Sequence, residues 1–415
     1  IREEYSINDV KEKWYQNVRR ICNDYTKNAL EEIGIPEEEF DKYFLKLENS
    51  KVENMDFSVE DKLFIENFIK KTKGVKSERT RKILEIQREW TEQLKKCDEV
   101  ELYIIKSTVI IAGTCTGFVS NRIIRDVEFD YVIVDEAAKA TFPELAVSLN
   151  KAHKIILVGD HQQLPPVLDT EIIRNNKEKL DEEGLAQGVF ERMYNMFPED
   201  NKHRLTIQYR MHPTIGTLIS HVFYNDEIQN GVEAQDRELC IEGYEGIAIE
   251  WISTSKYSTK ERYEKEFDNN GKKSYQNYLE RNIIERKLLE LDSKLVKRTK
   301  VAVITGYGSQ KYILQTMVKQ HSFKHIEVDV DTVDAFQGSQ KDIILYSTVR
   351  SSGNKYGIGF LKSEARINVA FSRARCLLII VGDMKFLDNY KIRGNKFPEI
   401  IKYITESEGC RIIEK

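Results

Sequence analysis

FDYVIVDEAAKA, residues 129–140, decides the fold. Its first half is a short apolar, β-branched run, too brief for a helix, and it stops abruptly at Asp135-Glu136. Apolar runs of four to seven residues closed by turn signals read as strands buried on both faces, as in a parallel α/β sheet. Asp135 and Glu136 then stand at the C-terminal end of such a strand, the edge of an open α/β sheet where ligands bind. Adjacent carboxylates there suit nucleotide hydrolysis: one holds Mg²⁺ through its water shell and the next takes a proton from the attacking water. The alternative is a strand end followed by a helix whose first turn favours acidic residues.

HKIILVGDHQQLPPVL, residues 153–168, repeats the pattern, with an apolar strand ending at Gly159-Asp160 and a turn closed by Pro165-Pro166. Gln163 can donate and accept at once, which suits sensing a phosphate or a water, though a plain polar turn reads the same way. Further runs at 108–112, 301–304, 343–348 and 376–382 alternate with helical stretches. The polar stretches 171–184 and 255–274 are expected to be loops, the second with a turn at Asn269-Asn270-Gly271.

Residues 1–105 differ. They are rich in Glu and Lys, with apolar residues at steps of three and four: Val10, Trp14, Val18, Ile21 and Tyr25, then Ile83, Ile86, Trp90 and Leu94. These stripes predict long helices packed as a stalk or as an ordinary helical bundle. The 415 residues exceed what one compact core usually holds, so several domains are expected. Charged residues at 32% suit a solvated surface, and a net charge of −4 means that any basic track must be local. Cys22, Cys97, Cys115, Cys240, Cys376 and Cys410 form no C-x-x-C pair, which argues against a zinc ribbon and fits a reducing compartment. No run has the length of a membrane span.

Three later stretches carry chemistry. IQYRMHP (207–213) sets Arg210, whose planar fork can neutralise phosphate, beside Tyr209, whose ring can stack on a base. VDTVDAFQGSQKD (330–342) holds a glycine-centred turn before a strand. INVAFSRARCLLIIVGD (367–383) puts Arg373 and Arg375 just ahead of another, placed either to reach across a cleft or to pair with local carboxylates.

In this order, VIVDEAA, VGDHQQLPP, QYRMHP, VDAFQGSQKD and INVAFSRAR closely resemble the motifs of superfamily 1 helicases, in the subgroup of the nonsense-mediated-decay helicase and senataxin. Connecting stretches match too: LAQGVFERM (185–193), FYNDEIQNGV (223–232), Ser274…Asn277…Glu280 and GIGFL (357–361). The resemblance covers roughly residues 106 to 385. It implies two RecA-like parallel-sheet lobes, the first incomplete, with an N-terminal helical stalk: 1–105 the stalk, 106–199 the C-terminal part of the first lobe, 200–415 the second. It also implies ATP and Mg²⁺, with Asp135 at the metal, Glu136 as general base and Gln163 as γ-phosphate sensor. Arg210 and Arg373 are then the two transition-state arginines and Tyr209 the adenine stack, while Gly338 and Gln340 lie at the nucleotide. Thr114, His212, Pro213, Thr305, Tyr307, Gln310, Thr332 and Asp334 resemble positions that contact or couple to the strand.

The sequence departs from the family's pattern in three places. No G-x-x-x-x-G-K-[ST] run is present, the only Gly-Lys pair being Gly271-Lys272; Gln340 stands where the subgroup has Glu; and Gly306 stands where Pro is common. In the family the phosphate loop precedes the stalk, so this chain is expected to be a fragment that does not hydrolyse ATP alone. The intact protein is expected to be a monomeric ATP-driven helicase or translocase. It would move 5′ to 3′ on single-stranded DNA or RNA in the cytoplasm, or in the nucleus of a eukaryote. The alternatives are a scaffold that binds nucleic acid or protein without ATP, and a nuclease fusion, for which no acidic cluster stands outside the motifs.

Overall fold

A computed structural model describes Ile86 and residues 105–122, 124–166, 188–269, 272–352, 357–392 and 394–414. The elements below lie in one compact unit, Gly113–Lys415. The stalk expected over 1–105 and the loop expected over 171–184 fall outside the described residues, apart from Ile86 and residue 105.

The opening stretch is a strand, β1 (Phe129–Val134), paired in parallel with β2 (Ala152–Leu157), Phe129 opposite Ala152 and Val134 opposite Leu157. A helix, α1 (Cys115–Ser120), precedes β1, and α2 (Phe142–Leu149) connects the two strands. α2 starts where the sequence provides a capping box: Thr141 donates both N–H and Oγ–H to Glu144 Oε2, at 2.8 and 2.7 Å. Leu145 packs with Val134, Ala137, Ala138 and Phe190, the last from α3 (Val189–Met196). The expected burial on both faces does not hold for this pair. Val132 and Val134 turn inward, but on the opposite face Tyr131 and Ile133 are 55% and 66% exposed, and Ile156, paired with Ile133, is also open. The two-residue period of a strand sends alternate side chains to opposite faces, and only one face is covered here.

The second sheet has six strands, all parallel, in the order β12-β5-β11-β10-β8-β9. They are β5 (Ile249–Ser253), β8 (Thr299–Thr305), β9 (Ile326–Thr332), β10 (Lys341–Ser347), β11 (Ala374–Gly382) and β12 (Cys410–Glu414). Its central strands are buried on both faces, as their apolar runs predict. Ile344 and Tyr346 of β10 face a cluster built on α4 (Pro213–Phe223), α8 (Glu364–Phe371) and α10 (Phe397–Glu406). Ile343 and Leu345 face α6 (Tyr278–Lys294) and α7 (Gly308–Lys319). Each such aliphatic side chain contributes roughly 2 kcal/mol by leaving water. The α/β fold with parallel sheets is the expected class.

Two local readings are corrected. Residues 108–112 form no strand: Val109 is 98% exposed and no strand among the described residues pairs with it, so an apolar run alone did not suffice. Residues 255–274 are not simply a loop. They hold a short helix, α5 (Thr259–Arg262), and most of an antiparallel hairpin, β6 (Lys265–Asn269) with β7 (Lys272–Gln276). Asn269 pairs with Lys272, and Asn270-Gly271 of the expected turn lie outside the described residues. Short pairings also join β3 (Ile207–Gln208) and β4 (Gln229–Asn230), and α9 (Met384–Asn389) follows β11.

Candidate active site

The site joins the C-terminal ends of β1 and β2 to the N-terminal ends of β10 and β11. Beyond Val134, Asp135 accepts from the Glu136 N–H at 2.9 Å, which closes a tight turn. Glu136 itself lies in the left-handed region, φ 53° and ψ 34°. A non-glycine residue there is held by its surroundings at a cost of about 1–3 kcal/mol, a pattern found at functional sites. From the second sheet, Gln337 Nε2 donates to Glu136 Oε2 at 3.2 Å.

Beyond β2, Gln163 Nε2 donates to Asp160 Oδ2 at 2.8 Å, while Gln163 Oε1 accepts from Arg373 Nη2 at 3.0 Å. Arg373 is 2% exposed. Its other donors reach the Val369 carbonyl at 3.0 Å and the Ser339 carbonyl at 3.4 Å. Burial, and next the neighbouring Arg210, pull its pKa down to about 10, against the opposing pull of Glu136. Arg210 is lowered as well, chiefly by burial, with Glu136 and Tyr224 acting against it; one of its Nη groups donates to the Ser372 carbonyl at 3.3 Å. Two partly desolvated guanidiniums, one of which depresses the other, make a place where an anion is favoured.

The two arginines ahead of β11 separate into the two roles open to them. Arg373 reaches across to the first sheet, whereas Arg375 pairs with Asp342 at 2.9 Å. Tyr209 is 63% exposed beside this cluster. A Cβ on Gly231 would sit 2.4 Å from its ring, so glycine there lets the ring lie against the backbone. Gly338, with φ +81° and nothing within 4 Å of a built Cβ, opens the loop before β10, and Gln340 is exposed next to it.

Sequence reasoning did not single out Asp160, Tyr224, Asn368 or Gln337. Tyr224 donates to Asp160 Oδ2 at 2.5 Å, and Asn368 Nδ2 donates to Tyr224 Oη at 2.8 Å and to the Gln162 carbonyl at 3.0 Å. Burial, then Asp160, hold the Tyr224 phenol well above its ordinary range, so its proton stays in that bond. The available signal was position: Tyr224 lies in FYNDEIQNGV and Asn368 in INVAFSRAR, both matched as stretches rather than as residues.

The expected strand positions divide. Thr114 caps α1, accepting from Gly117 N–H at 3.1 Å, and is exposed. Thr332 closes β9, and Asp334 pairs with Arg366 at 3.2 Å. His212 caps α4 through Nδ1, which accepts from Thr214 N–H at 3.2 Å, and Pro213 fills the first turn. Burial lowers the His212 pKa, consistent with a neutral cap. Thr305, Tyr307 and Gln310 are all buried, which suits the coupling alternative better than direct contact with a strand. Gln310 has both amide ends engaged, Oε1 accepting from Asn277 N–H at 2.8 Å and Nε2 donating to Ser347 Oγ at 3.1 Å. Tyr307 is wedged edge-on between Tyr275 and Phe360. The Ser274…Asn277…Glu280 pattern has the same structural role: Asn277 caps α6 by accepting from Glu280 N–H at 3.1 Å, and Glu280 accepts from Ser347 Oγ at 2.6 Å and Val349 N–H at 2.9 Å.

Comparison with known proteins fits this arrangement. Two family models, each described as an AAA domain, match residues 3–171 and 185–385. The chain is 35% identical over 301 residues to a regulator of nonsense transcripts 1 homolog of Neurospora crassa, covering 71% of this chain and 26% of that protein. It is 33% identical over 324 residues to the ATP-dependent helicase NAM7 of Saccharomyces cerevisiae, covering 77% and 31%. The chain belongs to the superfamily 1 helicases of the nonsense-mediated-decay type. This helicase chain is also 29% identical over 358 residues to an uncharacterized ATP-dependent helicase of Methanocaldococcus jannaschii, covering 82% and 48%. It spans about a quarter to a half of the length of these relatives.

Proposed function

We propose that the protein carrying this helicase chain hydrolyses ATP to move along single-stranded DNA or RNA and to open duplexes. The observation that carries this is the meeting of Arg210 and Arg373, both depressed by burial, with Glu136 and Gln163 from the other sheet. Such a cluster is built for a polyanion whose charge shifts during reaction, because guanidiniums in a desolvated cleft act more strongly than in water. The names of the relatives, among them two ATP-dependent helicases, support the same reading.

Asp135 is the group that would hold Mg²⁺. Asp135 is exposed at the end of β1, with one oxygen accepting from the Glu136 N–H, and a single carboxylate so placed fits an ion that keeps most of its waters. When bound, that ion would supply positive charge to the phosphates. Glu136 takes a proton from the attacking water, Gln163 reads the terminal phosphate and transmits its state to Arg373, and Tyr209 offers its exposed ring to the base. Thr114 and Asp334 are exposed and Thr332 is half-buried beside Asp334, which leaves them for contacts to phosphate and sugar that carry little sequence preference. Movement from 5′ to 3′ and a monomeric state follow the family resemblance.

The test is ATP hydrolysis by this chain and by the full-length protein, each with and without single-stranded DNA and RNA. Turnover stimulated by one strand type supports the motor and names its track. A full-length protein inert toward ATP but able to bind the strand would replace it with the scaffold reading.

A further inference from the structure

We infer that Gln337 is a second catalytic residue of the hydrolysis, holding Glu136 and the attacking water together; this rests on the ATPase reading above. Gln337 Nε2 donates to Glu136 Oε2 at 3.2 Å. A carboxylate can only accept, so the amide is fixed with its nitrogen toward Glu136. Its other end, Oε1, is buried and accepts nothing from the described residues. A buried acceptor without a donor is uncommon, and the oxygen is tied to the same planar carboxamide that grips the general base. A water beside both groups would donate one O–H to Glu136 and the other to Gln337 Oε1, leaving its lone pair free for phosphorus.

The segment bearing Gln337 is anchored well enough for that task. It follows a 3₁₀ turn, Val333–Phe336, in which Val333 and Phe336 are buried in the core of the second sheet. On its other side Ser339 Oγ donates to the Phe336 carbonyl at 2.8 Å, and the Ser339 carbonyl accepts from Arg373 Nη1 at 3.4 Å. The carboxamide is therefore held between the core and a transition-state arginine. Glu136, in its left-handed conformation, is fixed from below by Asp135 and from across the cleft by Gln337.

In the step itself the water oxygen bonds to the γ-phosphorus as the bond from that phosphorus to the β–γ bridging oxygen breaks. The bridging oxygen keeps the electron pair and leaves with ADP. One water proton passes to Glu136, which later gives it to solvent. The other stays on the new phosphate oxygen, hydrogen-bonded to Gln337 Oε1.

The experiment uses the full-length protein with ATP and a single-stranded oligonucleotide. Gln337→Ala is expected to lower kcat by about 10²-fold while KM for ATP and Kd for the strand stay within about twofold. The variant should also bind ADP–aluminium fluoride more weakly than wild type but ADP equally well. Gln337→Glu keeps the length of the side chain but loses the donor to Glu136, and its kcat should fall by about 10-fold or more. Wild-type kcat in Gln337→Ala, within a protein that turns over ATP, overturns this assignment alone. A wild-type protein without turnover removes the ATPase reading and this assignment with it. Should Gln337→Ala fail to fold, wild-type kcat in Gln337→Glu overturns the assignment.

Discussion

Glu136 combines two properties that rarely coincide, a strained backbone and a side chain gripped from another sheet. The strain aims its carboxylate, so altering the charge while keeping the shape separates chemistry from architecture. Glu136→Gln in the full-length protein is expected to abolish steady-state ATP hydrolysis while leaving nucleotide affinity within a few-fold of wild type. Parallel turnover and fluorescent-nucleotide titrations would check it, and normal turnover would remove Glu136 from the general-base role. At this scale the sequence was informative where residue order carried the information. Asp135, Glu136, Gln163, Arg210 and Arg373 were legible as motif members, and the structure gathers Glu136, Gln163, Arg210 and Arg373 into one cluster. Asp160, Tyr224 and Asn368 were not, because a hydrogen bond between residues 64 or 144 positions apart leaves no periodicity to read. For Gln310 the limit is the opposite one: a polar side chain looks alike in a motif whether it faces a ligand or, as here, bonds to the start of a neighbouring helix.

Among the elements, the central strands were the most legible because each is buried on both faces and reads as an unbroken apolar run. Edge strands such as β9, with the sequence IEVDVDT, mix charge into the run and escape notice. The hairpin β6–β7 escaped likewise, its residues being largely polar and solvated. Close packing at the end of the central strands gives a sharp prediction. A Cβ on Gly382, at the end of β11, would sit 1.9 Å from Thr348 Oγ1 and 2.8 Å from Thr348 Cγ2. Gly382→Ala should therefore destabilise by about 1–3 kcal/mol through overpacking. Adding Thr348→Ala should recover part of the loss, since both clashing atoms are then gone. Thermal melting of the three variants checks this, and equal melting of the single and double variants would contradict it.

For the molecule as a whole, the second sheet's core includes a titrating group. Glu280 is fully buried, and burial raises its pKa to about 8 despite donors from Ser347, Thr348 and Val349. An unfolded Glu titrates near about 4.3, so between these values the native state keeps a proton that the unfolded chain has released. Stability should accordingly fall as pH rises from about 4.5 to about 8. Glu280→Gln, which mimics the protonated form, should flatten that slope in urea titrations; an unchanged slope would assign it to other groups. The bare outer side of the two-stranded sheet bears on colloidal behaviour instead. Tyr131, Ile133 and Ile156 form an apolar strip on a sheet that has two strands among the described residues, the kind of surface that recruits other strands. Preparations of this chain should scatter light increasingly with concentration and with added sulfate, and charged replacements at Ile133 and Ile156 should keep them clear.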